Sequence, residues 1–201
     1  MTASTTLRDV IGLPNELPSL ADSALVLIDY QNTYTTGVME LEGHEAALEA
    51  GARLLAAARA AGAPVVHIVN DGGEGSPYDI RAEIGSIHPK VAPIEGEKVV
   101  VKTFPDSFHE TELLQTLKDL GKADGDLVLA GFMTHMCVQF TAQGAFRQGY
   151  RPTVVAEASA TRSLQAPDGT VVPAQALHAA ALTTVKDLFG TVAEKVEDLK
   201  A

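Results

Sequence analysis

The run Ala24-Leu25-Val26-Leu27-Ile28, closed by Asp29, decides the fold class. A strand with one wet face alternates apolar and polar residues. An unbroken apolar run of this length is buried on both faces, as in parallel sheets covered by helices. The same logic extends outward along the chain. His44 to Ala61 is rich in Ala, Leu, Glu and Arg and stops at Gly62, which predicts a helix. Pro64 to Val69 predicts the next strand, followed by the turn-rich Asn70-Asp71-Gly72-Gly73-Glu74-Gly75-Ser76-Pro77. Lys98 to Val101, Leu127 to Ala130 and Thr153 to Ala156 read as further strands, with Thr191 to Ala193 as a short last one. Thr111 to Leu120, His135 to Gln148 and Pro173 to Phe189 read as helices, the first two stopped by Gly121 and Gly149. Strands alternating with helices mean βαβ units, right-handed crossovers and a mostly parallel sheet between two helical layers.

Composition bounds the function. The 201 residues are 46% hydrophobic and 20% charged, a globular balance. We expect one domain spanning 1–201, with a core from about residue 22 to 193 and an N-terminal extension over 1–20. Lys and Arg number 15 against 26 Asp and Glu, a net charge of −11. Nucleic acid and anionic membrane surfaces both demand cationic protein surface, so neither is the expected partner. A single cysteine excludes an intrachain disulfide and a CxxC motif. Met1 to Val10 carries one Arg and no apolar stretch, and no window reaches ~18 apolar residues, so a cytoplasmic location is expected.

In parallel α/β sheets ligands bind beyond the carboxyl ends of the strands. The residues just past those ends include a carboxylate, Asp29, an ammonium, Lys102, and the only thiol, Cys137. Alone, each has an ordinary reading: a turn residue, a surface charge, a small core hydrophobe. Together they make a nucleophile, a stabilising cation and a general base. Cys137 lies near the start of a predicted helix, and a helix dipole plus a nearby ammonium lowers a thiol pKa. An apparent value below the free-thiol ~8.5 is therefore expected.

These residues carry a resemblance. Leu25-Val26-Leu27-Ile28-Asp29-Tyr30-Gln31-Asn32 resembles the opening motif of the isochorismatase-like cysteine hydrolases. Val101-Lys102-Thr103-Phe104-Pro105-Asp106-Ser107-Phe108 is similar to that family's lysine motif, and Gly131-Phe132-Met133-Thr134-His135-Met136-Cys137-Val138 to its nucleophile motif. The likeness runs from about Ala24 to Val192. It implies a single-domain three-layer α/β/α fold on a six-stranded parallel sheet, an Asp29–Lys102–Cys137 triad and a covalent enzyme intermediate. It also implies a cis peptide at Phe132–Met133 and an oxyanion hole made by the N–H groups of Met133 and Cys137. The nicotinamidase branch carries a histidine-containing metal site after the second strand. Here no histidine follows Asn70 until His88, so neither metal nor other cofactor is expected.

The expected activity is metal-independent hydrolysis of a C–N bond in a small amide, ureide or lactam. Two rivals stand beside it: a vinyl-ether hydrolase of the isochorismatase type, which does not depend on the thiol, and a non-catalytic binding member of the fold. Tyr34, Phe104 and Phe108 follow strand ends and either wall an apolar pocket or simply pack. Thr134 and His135 flank the thiol and are candidate substrate contacts, while His67 and His178 read as core or interface residues. Glu157, after the fifth strand, carries no reading. The helix from His135 and the segment from Pro173 to Phe189 are apolar around much of their circumference, so a homodimer or homotetramer is expected.

Overall fold

A computed structural model describes residues 2–201. A short helix, α1 (Leu7–Val10), precedes strand β1 (Ala24–Ile28), helix α2 (His44–Ala60), β2 (Val65–Asn70) and β3 (Lys98–Lys102). Helix α3 (Leu113–Asp119), β4 (Asp126–Phe132), helix α4 (Gln139–Arg147) and β5 (Arg151–Ala160) follow. The chain ends with a small hairpin, β6 (Leu164–Gln165) and β7 (Val171–Val172), helix α5 (Ala174–Thr184) and β8 (Thr191–Ala193). The main sheet has six strands in the order β3-β2-β1-β4-β5-β8, all parallel. This is the expected three-layer α/β/α architecture in a single domain.

The alternation of side chains along β1 builds both cores. Leu25 and Leu27 point to one face with Leu48, Leu54 and Leu55 of α2. Val26 and Ile28 point to the other, with Leu113 and Leu117 of α3 and Ala142 and Ala145 of α4. All five residues of β1 are buried, whereas β3, at the sheet edge, leaves Lys98, Val99 and Val101 exposed. His67, in the middle of β2, is buried with its Nε2 2.9 Å from Glu97 Oε2. Glu97 also holds Arg59, so His67 serves packing. No described helix is long and apolar enough to cross a membrane.

Several boundaries differ from the sequence-based ones. The core reaches past 22–193 to include Leu20, Val196 and Leu199, because Leu20 N–H donates to Lys200 O at 2.9 Å and closes the two termini onto each other. The expected helix from His135 begins instead as a π-type turn over Thr134–Val138 and becomes α-helical only at Gln139. The segment Val185–Phe189 after α5 is also a π-type turn. Strand β5 runs on to Ala160 because its pairing with β4 slips: Leu129 faces Val154, but Gly131 faces Ser159. The β6–β7 hairpin is new, since two-residue strands carry no periodicity to read.

Gly131 is where the fold is tightest. Its φ is +140°, and a Cβ there would lie 1.9 Å from the carbonyl oxygen of Ile28, on the neighbouring strand. Only glycine allows β4 to leave the sheet this close to the end of β1. Gly131→Ala should cost more than about 4 kcal/mol, the range of substitutions that force a backbone clash. A denaturant midpoint close to wild type would refute this reading of the crossover.

Candidate active site

Asp29 stands immediately past β1, Lys102 is the last residue of β3, and Cys137 lies in the π-type turn past β4. These strands are not all neighbours, since β2 separates β3 from β1. The long lysine side chain spans that gap. Its Nζ lies 2.7 Å from Asp29 Oδ2 and 3.3 Å from Cys137 Sγ, with a further contact of 3.3 Å to Asn70 Oδ1. The structure thus brings the three sequence-selected residues together around one ammonium. Asp29 is 0% exposed, Lys102 2% and Cys137 6%, so the thiol has the widest access to solvent of the three.

The backbone around the group is held in unusual conformations. Asp29 has a φ of +52°, a left-handed conformation that few non-glycine residues adopt. Its N–H donates to Ile68 O at 3.0 Å and its carbonyl accepts from Gln31 N–H at 2.7 Å, which fixes that turn. The Phe132–Met133 peptide bond is cis. Beyond it the turn closes on the Met133 carbonyl, which accepts from Met136 N–H at 3.0 Å and Val138 N–H at 3.2 Å. π-type turns inside helices recur at functional sites because they displace one side chain from the regular spiral.

Residues that the motifs contained without an assigned role complete the frame. Gln31 donates to the carbonyls of Asn70 at 3.0 Å and Gly85 at 2.7 Å, and its Oε1 accepts from Asn70 N–H at 2.9 Å. It thereby clamps Asn70, whose side chain steadies Lys102. Ser107 N–H donates to Thr141 Oγ1 at 3.1 Å, and the two hydroxyls lie 2.8 Å apart. That bond fastens the segment after Lys102 to the helix that follows Cys137. Gly144 makes the approach feasible, because a Cβ there would sit 2.2 Å from Asp106 Oδ1.

The remaining candidates divide. Tyr34 is buried, its ring centroid 5.6 Å from Phe132 and 5.7 Å from Tyr78. Burial, with the charges of Asp29 and Cys137, pushes its hydroxyl pKa well up. Tyr78 joins it from the loop after β2, a neighbour hidden by a turn-rich segment without periodicity. That loop is tied down: Asp71 pairs with Arg81 at 3.0 Å, and Asp79 accepts from Gly75 N–H at 2.8 Å.

Phe108 is buried in the same apolar cluster as Cys137. Its ring centroid lies 6.0 Å from that of Tyr150. Phe104 is exposed and lies against His109, in a groove of about 460 Å³ whose walls contain none of the triad. Thr134 is fully buried, its hydroxyl 2.8 Å from His178 Nδ1, so both residues brace the turn. His135, half-buried, is held by the Thr161 hydroxyl. Glu157 accepts from Arg53 at 2.9 Å and from Val196 N–H at 2.8 Å, tying β5 to α2 and the C-terminal tail. A cavity of about 270 Å³ beside it is lined by Glu42, Thr161 and His178 but by none of the triad. Among the described residues no three His, Cys, Asp or Glu side chains gather as a cation-binding group.

The electrostatics correct one expectation. Burial pushes the Cys137 thiol well above its ordinary pKa, and the Asp29 carboxylate adds to the rise; Lys102 opposes both without prevailing. Burial also pushes Asp29 up, against the pull of Lys102. Burial disfavours the Lys102 ammonium, but Asp29 and Cys137 hold its pKa above the ordinary value. The Lys102 ammonium thus stands between a buried carboxyl group and a thiol that burial favours in its protonated form. The helix-start argument left out the burial of the thiol beside Asp29, which raises its pKa, and the thiol lies in a π-type turn ahead of α4.

Iodoacetamide alkylation of Cys137 should accordingly show an apparent pKa above the free-thiol ~8.5. Asp29→Asn should lower it, since the added repulsion is gone. A wild-type value at or below that of free cysteine would contradict the assignment of a neutral resting thiol.

The isochorismatase domain model matches residues 23–196. The crystal structure of an isochorismatase from Pseudomonas putida superposes with a TM-score of 0.92 at 37% identity, covering 98% of this chain and 100% of that one. The secreted isochorismatase effector Isc1 of Verticillium dahliae is 34% identical over 94% of this chain and 96% of its own length. A streptothricin hydrolase of Streptomyces noursei is 35% identical over 73% of this chain and 57% of its own. The match runs through every strand of the main sheet and all three residues around the buried ammonium, and the chain belongs to the isochorismatase family.

Proposed function

We propose that this protein is a thiol-dependent hydrolase of a C–N bond in a small amide, ureide or lactam. The observation that carries the reading is the Lys102 ammonium, 2.7 Å from a buried carboxylate and 3.3 Å from the only thiol in the chain. Asp29 takes the proton of Cys137 as the sulfur attacks the carbonyl carbon. The N–H groups of Met133 and Cys137 receive the oxyanion. Asp29 then gives its proton to the departing nitrogen, leaving an acyl thioester. Water attacks that thioester, loses its proton to Asp29, and the returning proton restores the thiol. Lys102 stays charged throughout. It holds Asp29 in place and stabilises the sulfur whenever that atom carries charge. The relationship to a maleamate amidohydrolase of Pseudomonas putida, 33% identical over 67% of this chain, supports the C–N assignment. No metal or organic cofactor enters these steps.

Ammonia release over a panel of amides, ureides and lactams tests the proposal. Cys137→Ala should abolish turnover. Lys102→Met should lower it by ~10²-fold or more, the usual loss when charge stabilisation is removed from a reacting centre. Lys98→Ala, at the exposed start of β3, should leave it unchanged. Turnover of a vinyl ether that survives Cys137→Ala would establish the isochorismatase-type reaction instead.

We further propose that the chain works as a homo-oligomer. Helix α5 leaves Ala176, Ala179 and Ala180 exposed, a small-residue face suited to close packing against a second copy. Light scattering at micromolar concentration should give at least twice the 21.1 kDa chain mass. A constant monomer mass on dilution and concentration would reject it.

A further inference from the structure

Four of the six phenylalanines in the chain line one groove of about 460 Å³. Phe104 and Phe140 are 46% and 37% exposed there, and rings gathered in water add nothing to the core. The groove holds more than apolar walls. The Phe104 ring leans on His109 with centroids 4.6 Å apart, and Phe146 meets Phe189 edge to face at 6.0 Å. Asp106, only 8% exposed, also lines it. Its Oδ1 accepts from Phe108 N–H at 2.9 Å. Its Oδ2 has, among the described residues, the single Arg147 contact at 3.3 Å. A carboxylate oxygen carries two lone pairs, so Oδ2 keeps room for a second donor.

A cavity of this volume, walled by rings around one buried acceptor, has the make-up of a small-molecule site. Charge narrows the class. Arg147 offsets Asp106, so neither is left free to select an ion. The net charge of −11 repels anions, and a cation would have to compete with Arg147 for the same carboxylate. A neutral flat ring fits, packed against the phenylalanines with one N–H or O–H on Asp106. The position links this groove to the thiol. One side is the segment after Lys102, with Phe104 two residues on; the other is α4, with Phe140 three residues after Cys137. The Ser107–Thr141 bond joins the two sides, and Gly144 leaves the space that Asp106 fills between them. A ring bound across them fastens together the two segments that carry the ammonium and the sulfur, 3.3 Å apart.

We propose that this groove is an effector site for a small neutral aromatic molecule with an N–H or O–H donor, and that filling it steadies Lys102 against Cys137. Neither part depends on the C–N hydrolysis reading, and the test uses no turnover. Indole is the probe, and benzofuran, the same shape without the N–H, is its control. Binding is followed by ligand-observed NMR on wild type, Phe104→Ser and Phe140→Ser, with a melting curve to verify that each is folded. Iodoacetamide alkylation of Cys137, read by mass, is timed with and without indole at pH ~7.5, below the free-thiol pKa.

Indole should saturate wild type with a Kd of about 1 mM or tighter, within the per-atom bound for small ligands. Benzofuran should bind about tenfold more weakly, the scale of one hydrogen bond to a charged group. Each serine variant should weaken indole binding by about tenfold, the scale of a lost ring contact with its buried area. With indole near the wild-type Kd, alkylation of wild type should speed up about twofold or more, because an ammonium held at the sulfur favours the thiolate. Alkylation of the variants should not change. A wild type that does not saturate, or variants that bind as wild type does, overturns the site. Equal binding of indole and benzofuran overturns the ligand class; that comparison needs no variant and decides even where a serine variant fails to fold. Binding without faster alkylation overturns the coupling to Lys102 and Cys137 and leaves the site standing. A dimer that Phe140→Ser dissociates, with no indole bound, assigns the groove to a second copy of the chain and overturns the proposal.

Discussion

A lysine ammonium buried to 2% exposure needs a counter-charge, and Asp29 Oδ2 supplies it at 2.7 Å. Much else in the structure follows from keeping that pair intact. Removing one member of a buried ion pair typically costs ~3–5 kcal/mol, because the other charge is left in a medium that cannot solvate it. Both ends are therefore anchored independently of the pair. Asp29 is fixed by a left-handed turn and two backbone hydrogen bonds. Lys102 is fixed by its place at the end of β3, by Asn70, and by the bond from Ser107 to Thr141 just beyond it. Cys137 sits against the ammonium as a third group that requires no charge at rest.

Parallel strands explain why three distant segments meet. Every strand of the main sheet runs the same way, so every carboxyl end opens onto one rim. The register then sets the detail. Ile28 is level with Gly131, and Asn70 with Lys102. Gly131 lets β4 pass within van der Waals reach of the Ile28 carbonyl, and that closeness carries the following turn over the end of β1. The slip between β4 and β5 lengthens β5 and places Thr161 beneath His135. A change of one residue in any of these registers would reverse which face each side chain points to.

The sequence made the fold and the three central residues legible for a physical reason. Strands buried on both faces appear as unbroken apolar runs, and polar residues immediately after such runs have few structural excuses. Asp29, Lys102 and Cys137 stood out on that ground. The supporting polar residues did not. Gln31, Asn70 and Thr141 act through hydrogen bonds to segments 39, 32 and 34 positions away, and no local pattern records such a partner. Phe108 followed the same strand-end logic as Lys102 and lies in the apolar cluster that also holds Cys137. The hydrogen bonds of Thr134 to His178 and of Glu157 to Arg53 and Val196 likewise join distant segments. The thiol pKa was misjudged in sign, since a helix start is visible in sequence and burial beside a carboxylate is not.

That misjudged sign bears on how such a site operates. A thiolate held permanently at rest reacts with any electrophile that reaches it and with oxidants. A neutral thiol, raised by burial and by Asp29, is protected from both. Under the proposed chemistry its activation is conditional. The proton moves to Asp29 only as the sulfur transfers its developing charge onto a carbonyl oxygen held by the turn's N–H groups. Bond formation and deprotonation then share one transition state, and only a molecule whose carbonyl fits that position lowers its energy. Under that chemistry, selectivity comes from geometry at the rim, where Tyr34 and Tyr78 pack ring against ring, while Asp29, Lys102 and Cys137 supply reactivity to whatever the rim admits.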